Sequence, residues 1–160
     1  MASEAGPAMI YLPDAAATAA VGARLAEALR GGDAIALVGE LGAGKTTLVA
    51  GLVAALGGGD AHSPTFGLVH EYLGGRLIVW HVDLYRIDRA AELRELGLDE
   101  IVGDPRGAVV VEWAERFAVL PVDHLRLELA HDADRRTLVA TGTGPRGTAL
   151  ADTVDPPQLG

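Results

Sequence analysis

An α/β fold with parallel central strands, antiparallel hairpins and helices on both faces of the sheet is predicted by three observations. The run Ala34–Val38 is short and wholly apolar, and it passes through a glycine-rich turn into a stretch where Leu48, Val49, Leu52, Val53 and Leu56 recur at helical spacing. A second apolar run, Ala108–Val111, shows no alternation, as a strand covered on both faces requires. Two further pairs of β-rich runs flank turn residues, at Gly74–Gly75 and at His131–Arg136, which signals hairpins.

Taken in order, Met1–Ala8 reads as a loose tail and Met9–Leu12 as a short strand closed by Pro13. Asp14 is placed to cap a helix whose apolar face carries Ala17, Val21, Leu25, Ala28 and Leu29, and Gly31–Gly32 end it. After the central strand–turn–helix unit, Gly57–Gly59 stop the helix. Gly57–Ser63 reads as a flexible connector, followed by the quartet Ser63, Pro64, Thr65 and Phe66, in which Pro64 restricts the backbone. Strands are expected over Gly67–Tyr72 and Arg76–Asp83, and a helix over Asp88–Leu96 with a short turn at Asp99–Val102. Gly107 opens the buried strand that ends in Glu112, and Glu115–Leu120 makes a helical turn. Leu125, Leu127 and Leu129 alternate with Arg126 and Glu128, and Thr137–Thr141 returns beside them. Thr143–Gly160 shows no periodicity and is expected to be a disordered tail, which leaves 1–142 as a single domain.

Composition narrows the function. With 160 residues, 49% of them hydrophobic and 22% charged, one folded core is expected, and no apolar run approaches the ~20 residues of a membrane span. Cysteine is absent, which removes disulfides, thiolate catalysis and cysteine zinc sites. His62, His70, His81, His124 and His131 lack the paired helical spacing of metal sites and read as loop and surface groups. The first residues lack a basic segment followed by an apolar one, so a cytoplasmic protein is expected. A net charge of −9 disfavours direct grip on a nucleic-acid backbone.

Gly39, Glu40, Leu41, Gly42, Ala43, Gly44, Lys45 and Thr46 fit the phosphate-loop pattern GxxxxGK(S/T), between a strand and a helix as that motif demands. The glycines let successive backbone N–H groups turn inward and form an anion cradle at the positive end of a helix. Lys45 is placed for the β and γ phosphates, the Thr46 hydroxyl for Mg²⁺, and Thr47 for the α phosphate. Lys45 is also the only lysine in the chain, all other strong bases being arginine. The absence of asparagine and of a second lysine removes the Asn-Lys-x-Asp pattern of guanine recognition and points to ATP.

Phosphoryl transfer to water needs an acid near the metal and a group that orients the water. Glu112 ends the second buried strand, where an α/β sheet presents its ligands, and is the first candidate for Mg²⁺ contact. Asp83 ends the run Ile78–Val82 and is the second, as metal ligand or water-orienting base. Thr65 is a candidate switch-loop contact to metal or γ phosphate. Arg86 and Arg116 are candidate charge stabilisers, with a surface role the simpler reading. Trp80 and Trp113 read first as core or interface residues.

The blocks GELGAGKTTL (39–48), SPTF (63–66), HVDLYR (81–86) and VEWAER (111–116), in this order, resemble the TsaE family of bacterial tRNA threonylcarbamoyladenosine ATPases. That resemblance implies a P-loop NTPase-type sheet, Mg²⁺-dependent ATP hydrolysis, and action with the proteins TsaB and TsaD, tRNA being met only through the complex. TsaD transfers threonylcarbamoyl to adenosine 37 of tRNAs that read codons starting with A, and the ATPase supports turnover. It also carries Lys45, Thr46, Thr65, Asp83, Glu112 and Trp113 into the nucleotide site by motif match. Two other readings are a small-molecule kinase, with Ala90–Arg106 serving the acceptor, and a nucleotide-sensing module whose hydrolysis is incidental.

Overall fold

Short β-rich segments punctuated by glycine, proline and acidic turns build a single mixed sheet, which a computed structural model describes over residues 9–40, 42–59, 61–65 and 68–154. Residues 61–65 and 132 are described in their backbone alone. The expected tail 1–8 lies outside these residues, as do Leu41, Phe66 and 155–160. The strands are β1 (Met9–Leu12), β2 (Ala34–Gly39), β3 (Ala61–Thr65), β4 (Val69–Tyr72), β5 (Ile78–Asp83), β6 (Gly107–Glu112), β7 (Leu125–Asp132) and β8 (Arg135–Gly142). They lie in the order β1-β8-β7-β2-β6-β5-β4-β3. Central β2 is parallel to β6 and to β7, and β5 is parallel to β6. The pairs β4–β5 and β7–β8 are antiparallel hairpins, as their turn residues predict.

The register decides where the site falls. Because β2, β5 and β6 run the same way, Gly39, Asp83 and Glu112 emerge together at their carboxyl ends, with Asp83 opposite Glu112 and Glu112 opposite Leu37. That edge is where α/β sheets meet ligands.

Helices α1 (Ala15–Ala28), α2 (Lys45–Ala55) and α5 (Pro145–Val154) cover one face, and α3 (Ala90–Glu95) and α4 (Leu98–Ile101) lie on the other. Alternation along the strands sorts the two cores. Ile35, Leu37, Val110 and Leu127 pack with Leu25, Leu48 and Leu52 of α1 and α2. Trp80, Val82, Val109 and Val111 pack with Leu84, Ile87 and Leu98 on the opposite side. Asp14 caps α1 as predicted, its carboxylate accepting from the Ala17 N–H at 2.8 Å. The helix pair α1–α2 comes to backbone contact at Gly22 and Gly51. A Cβ on Gly22 would collide with the Leu48 carbonyl, and one on Gly51 with that of Ala19, so this crossing seats the phosphate-loop helix against α1.

Three expectations change. The connector before Ser63 gives way to β3, an edge strand paired with β4 through a register shift between His62 and Thr65; an edge tolerates the missing N–H of Pro64. The turn of the β7–β8 hairpin is tighter than 131–136, since Asp132 pairs with Arg135 and Ala133 takes a positive φ of 56°. The expected disorder after Thr143 is replaced over 145–154 by α5. Its buried residues Gly147, Leu150 and Val154 recur at three and four positions, a stripe too short to read as periodicity. Asp123 anchors its start by accepting from the N–H groups of Arg146 and Gly147 at 2.9 and 2.7 Å. The Arg146 guanidinium binds both oxygens of Asp33 at 2.8 and 2.7 Å, joining α5 to the turn before β2.

Candidate functional site

The chain leaves β2 at Gly39 and re-enters helix at Lys45 through a loop that needs left-handed backbone at Gly42 (φ 83°) and Gly44 (φ 109°). A side chain would strain both positions, and the arrangement turns backbone N–H groups toward the start of α2. Ala43 is fully buried beneath the loop, and its N–H closes a turn onto the Glu40 carbonyl at 3.0 Å.

Lys45 reaches back over this loop. Its ammonium donates to the Gly39 carbonyl at 2.7 Å and pairs with Glu112 Oε1 at 2.9 Å. The second carboxylate oxygen, Oε2, lies 2.6 Å from His81 Nε2. Burial alone would raise the Glu112 pKa, but the hydrogen bonds from His81 and Lys45, with their charge, hold it below the usual carboxylate value. An ionised carboxylate only accepts, so Nε2 of His81 carries the proton in this bond. The three side chains form one nearly buried chain, Lys45 to Glu112 to His81.

Asp83 stands beside Glu112 on the next strand. Its Oδ1 accepts the Tyr85 N–H at 3.0 Å, and among the described residues Oδ2 has no hydrogen-bond partner. Directly after Glu112, Trp113 takes φ 64°, a left-handed conformation that costs a bulky residue on the order of 1 kcal/mol. Its ring meets that of Tyr85 with centroids 5.1 Å apart. Arg116 donates to the Tyr85 carbonyl at 2.6 Å, so the segments after β5 and β6 are tied to each other beside the two carboxylates.

An open cavity of about 780 Å³ lies over this edge, lined by the loop glycines, Lys45, Thr46, Thr47, Asp83, Glu112 and Trp113. Glu40, Tyr85 and Arg136 complete its wall. The cavity can hold a polyanion against inward N–H groups and an ammonium, with two carboxylates and an exposed threonine hydroxyl at one end.

Most residues singled out from the sequence therefore meet in one place: Glu40, Gly42, Gly44, Lys45, Thr46, Thr47, Asp83, Glu112 and Trp113, with Gly39 and Ala43 in the loop they share. Leu41 lies outside the described residues, as does the side chain of Thr65, whose backbone is in β3. Arg86 is exposed, and Arg116 serves as the loop tie just described. Trp80 is core, 2% exposed, with its indole N–H on Glu71. The segment 90–106 forms α3 and α4 on the face away from α2, which leaves an acceptor lid over the loop without support.

The reading of the histidines needs correction at one position: His81 is a half-buried partner of Glu112, whereas His131 is exposed as expected and donates from Nε2 to the Gly42 carbonyl at 2.7 Å. The signal for His81 was local, since it precedes Asp83 by two residues on one strand and so shares its face. Among the described residues no cluster of three His, Asp or Glu side chains has the arrangement of a metal cage. No described helix is long and apolar enough to cross a membrane.

This geometry has known relatives. The family model described as Threonylcarbamoyl adenosine biosynthesis protein TsaE matches residues 12–138. A tRNA threonylcarbamoyladenosine biosynthesis protein TsaE from Streptomyces coelicolor is 43% identical over 136 residues, covering 79% of this chain and 90% of the relative. The protein of the same description from Nostoc sp. is 40% identical over 126 residues, 76% of this chain and 77% of the relative. The crystal structure of YdiB from Bacillus subtilis superposes with a TM-score of 0.77 at 29% identity, covering 93% of this chain and 94% of that one. The phosphate loop, the paired strand-end carboxylates and these matches together assign the chain to the TsaE family of tRNA threonylcarbamoyladenosine biosynthesis.

Proposed function

We propose that this chain is a Mg²⁺-dependent ATP hydrolase that supports repeated rounds of threonylcarbamoyl transfer to tRNA by a complex of TsaB and TsaD, working in the cytoplasm. The observation that carries the reading is the convergence of Lys45, Asp83 and Glu112 on one cavity at the carboxyl ends of β2, β5 and β6. Loop N–H groups and Lys45 bind the phosphates, and Thr47 takes the α-phosphate end.

The residues also fit Mg²⁺. This ion binds hard oxygen donors, keeps several waters, and takes only one or two protein carboxylates beside the nucleotide's own phosphates. Thr46 offers the hydroxyl. Of the two acids, Glu112 has both oxygens engaged by Lys45 and His81, whereas Asp83 keeps one free. Glu112 would hold the metal only after releasing Lys45 to the phosphates, whereas Asp83 would hold it, or orient the attacking water, without breaking a hydrogen bond seen among the described residues. When bound, the metal supplies charge neutralisation on the phosphate oxygens. The remaining work falls to the chain: Lys45 orients the phosphates, His81 steadies Glu112, and Trp113 with Tyr85 walls the cavity.

The test is nucleotide binding and partner capture with the full chain. Wild type binds ATP with Mg²⁺ and co-purifies with TsaB and TsaD in a nucleotide-dependent manner, and Lys45→Ala loses measurable nucleotide binding. Unchanged affinity in Lys45→Ala would sink the phosphate-clamp assignment, and a complex indifferent to nucleotide would sink the partner assignment.

A further inference from the structure

The carboxylate that closes on Lys45 is held from its other side by a residue of the neighbouring strand. On β5, His81 is in register with Val110 of β6 and Asp83 with Glu112, so His81 meets Glu112 on a diagonal, which a ring and a long side chain can span. The 2.6 Å bond from His81 Nε2 uses Oε2, and the 2.9 Å ion pair with Lys45 uses Oε1. Each oxygen thus has its own partner. On the strand flanking β5 from the opposite side, His70 of β4 is in register with His81 and meets its ring edge-on, with centroids 6.4 Å apart and planes at 88°. His81 is therefore fixed from both neighbouring strands.

The sheet itself does not require this arrangement, since well-packed apolar residues of similar volume are often as stabilising as a buried ion pair. Its consequence falls on Lys45. In the free chain the ammonium is shared between the Gly39 carbonyl and Glu112 Oε1. A phosphate group in the loop competes for the same ammonium, and when Lys45 turns to it, Oε1 loses its partner. A buried carboxylate left with no partner carries a heavy desolvation penalty, which pulls Lys45 back. With His81 still donating to Oε2, the carboxylate stays paired and in place while Lys45 leaves.

Resting on the nucleotide reading above, we propose that His81 is a positioning residue that frees Lys45 for the phosphates: by keeping hold of Glu112 Oε2, it lowers the cost of breaking the Lys45–Glu112 pair when a nucleoside di- or triphosphate enters the loop. Among the described residues that line the cavity are Lys45, Asp83 and Glu112, but not His81. It acts through Glu112 alone. A glutamine carries its Nε2 amide the same number of bonds from Cβ as the histidine Nε2 and can take over the donation, whereas asparagine stops short and leucine has no donor.

The experiment is calorimetric titration of ADP with Mg²⁺ into the full-length wild type, His81→Gln, His81→Leu, His81→Asn and Glu112→Gln, and into His81→Leu and His81→Asn each combined with Glu112→Gln, with circular dichroism to verify the fold. His81→Leu and His81→Asn bind about tenfold more weakly, and His81→Gln stays within about threefold of wild type. In the Glu112→Gln background, where no charge remains to be held, the same two substitutions change affinity by less than about twofold. Asparagine keeps a polar side chain at this half-buried position and reports on the site should the leucine variant fold poorly. Equal losses with and without the Glu112 carboxylate would make His81 a structural residue and overturn the assignment, as would wild-type affinity in His81→Asn or a glutamine variant as weak as the asparagine one. Failure of the wild type to bind ADP would instead overturn the nucleotide reading, and this one with it.

Discussion

Glu112 Oε1 lies 2.9 Å from Lys45 Nζ while Glu112 Oε2 lies 2.6 Å from His81 Nε2, so one carboxylate links the phosphate loop to β5. Glu112 is only 8% exposed, and such a group is stable in its charged form only while its partners remain. Glu112→Gln should lower stability at pH 7 by about 1–2 kcal/mol in urea unfolding.

That destabilisation has a pH signature. The folded-state pKa of Glu112 lies below its unfolded value, so the stabilisation is complete above the unfolded pKa of about 4.3 and disappears as pH falls through the folded value. The stability gap between wild type and Glu112→Gln should therefore be constant near neutrality and close below about pH 4. A gap that widened in acid would contradict the ion-pair account.

Asp83 lines the cavity, and among the described residues its one hydrogen bond is from the Tyr85 N–H to Oδ1. Asp83→Asn should slow phosphate release by at least about a hundredfold while ADP affinity stays within a few-fold of wild type, which stopped-assay hydrolysis and titration would measure. A parallel drop in binding would mean that Asp83 holds the nucleotide rather than acting on it.

The last helix is part of the folded unit. Leu150 is 1% exposed, and Leu150→Ala should cost about 2–4 kcal/mol. Arg146→Ala, which removes the ion-pair partner of the buried Asp33 carboxylate and leaves it only the Arg30 N–H, should cost about 1–3 kcal/mol. Denaturant midpoints equal to wild type would return the segment to the role of a loose tail.

Gly22→Ala should destabilise by about 1–3 kcal/mol, because α1 must move off the Leu48 carbonyl to admit a Cβ. The same shift displaces the start of α2, so nucleotide affinity should fall with stability.

What could be read in advance followed the strength of local signals. The phosphate loop was legible because glycine at 42 and 44, with Lys45 and Thr46, answers a backbone and charge requirement found in few other contexts. Glu112 and Asp83 were legible as strand ends whose register then brought them side by side. Arg136 was not, since its place on the cavity wall arises from pairing across strands that are distant in sequence, and of His81 only the face was legible, two residues before Asp83, while its bond to Glu112 on the neighbouring strand was not. The helix α5 escaped for a related reason: its stability comes from Asp123 and Asp33, more than twenty and more than a hundred residues away, rather than from its own periodicity.

The measurement that bears most directly on the central claim is the number of threonylcarbamoyladenosine products formed per complex in a mixture of tRNA, an activated threonylcarbamoyl donor, ATP, TsaB, TsaD and this chain, with ATP binding monitored in parallel. Wild type should sustain many rounds, and Glu112→Gln, still binding ATP, should stop after one or fewer. Repeated rounds driven by a Glu112→Gln protein that binds but does not hydrolyse ATP would contradict the account and leave the site as a nucleotide sensor.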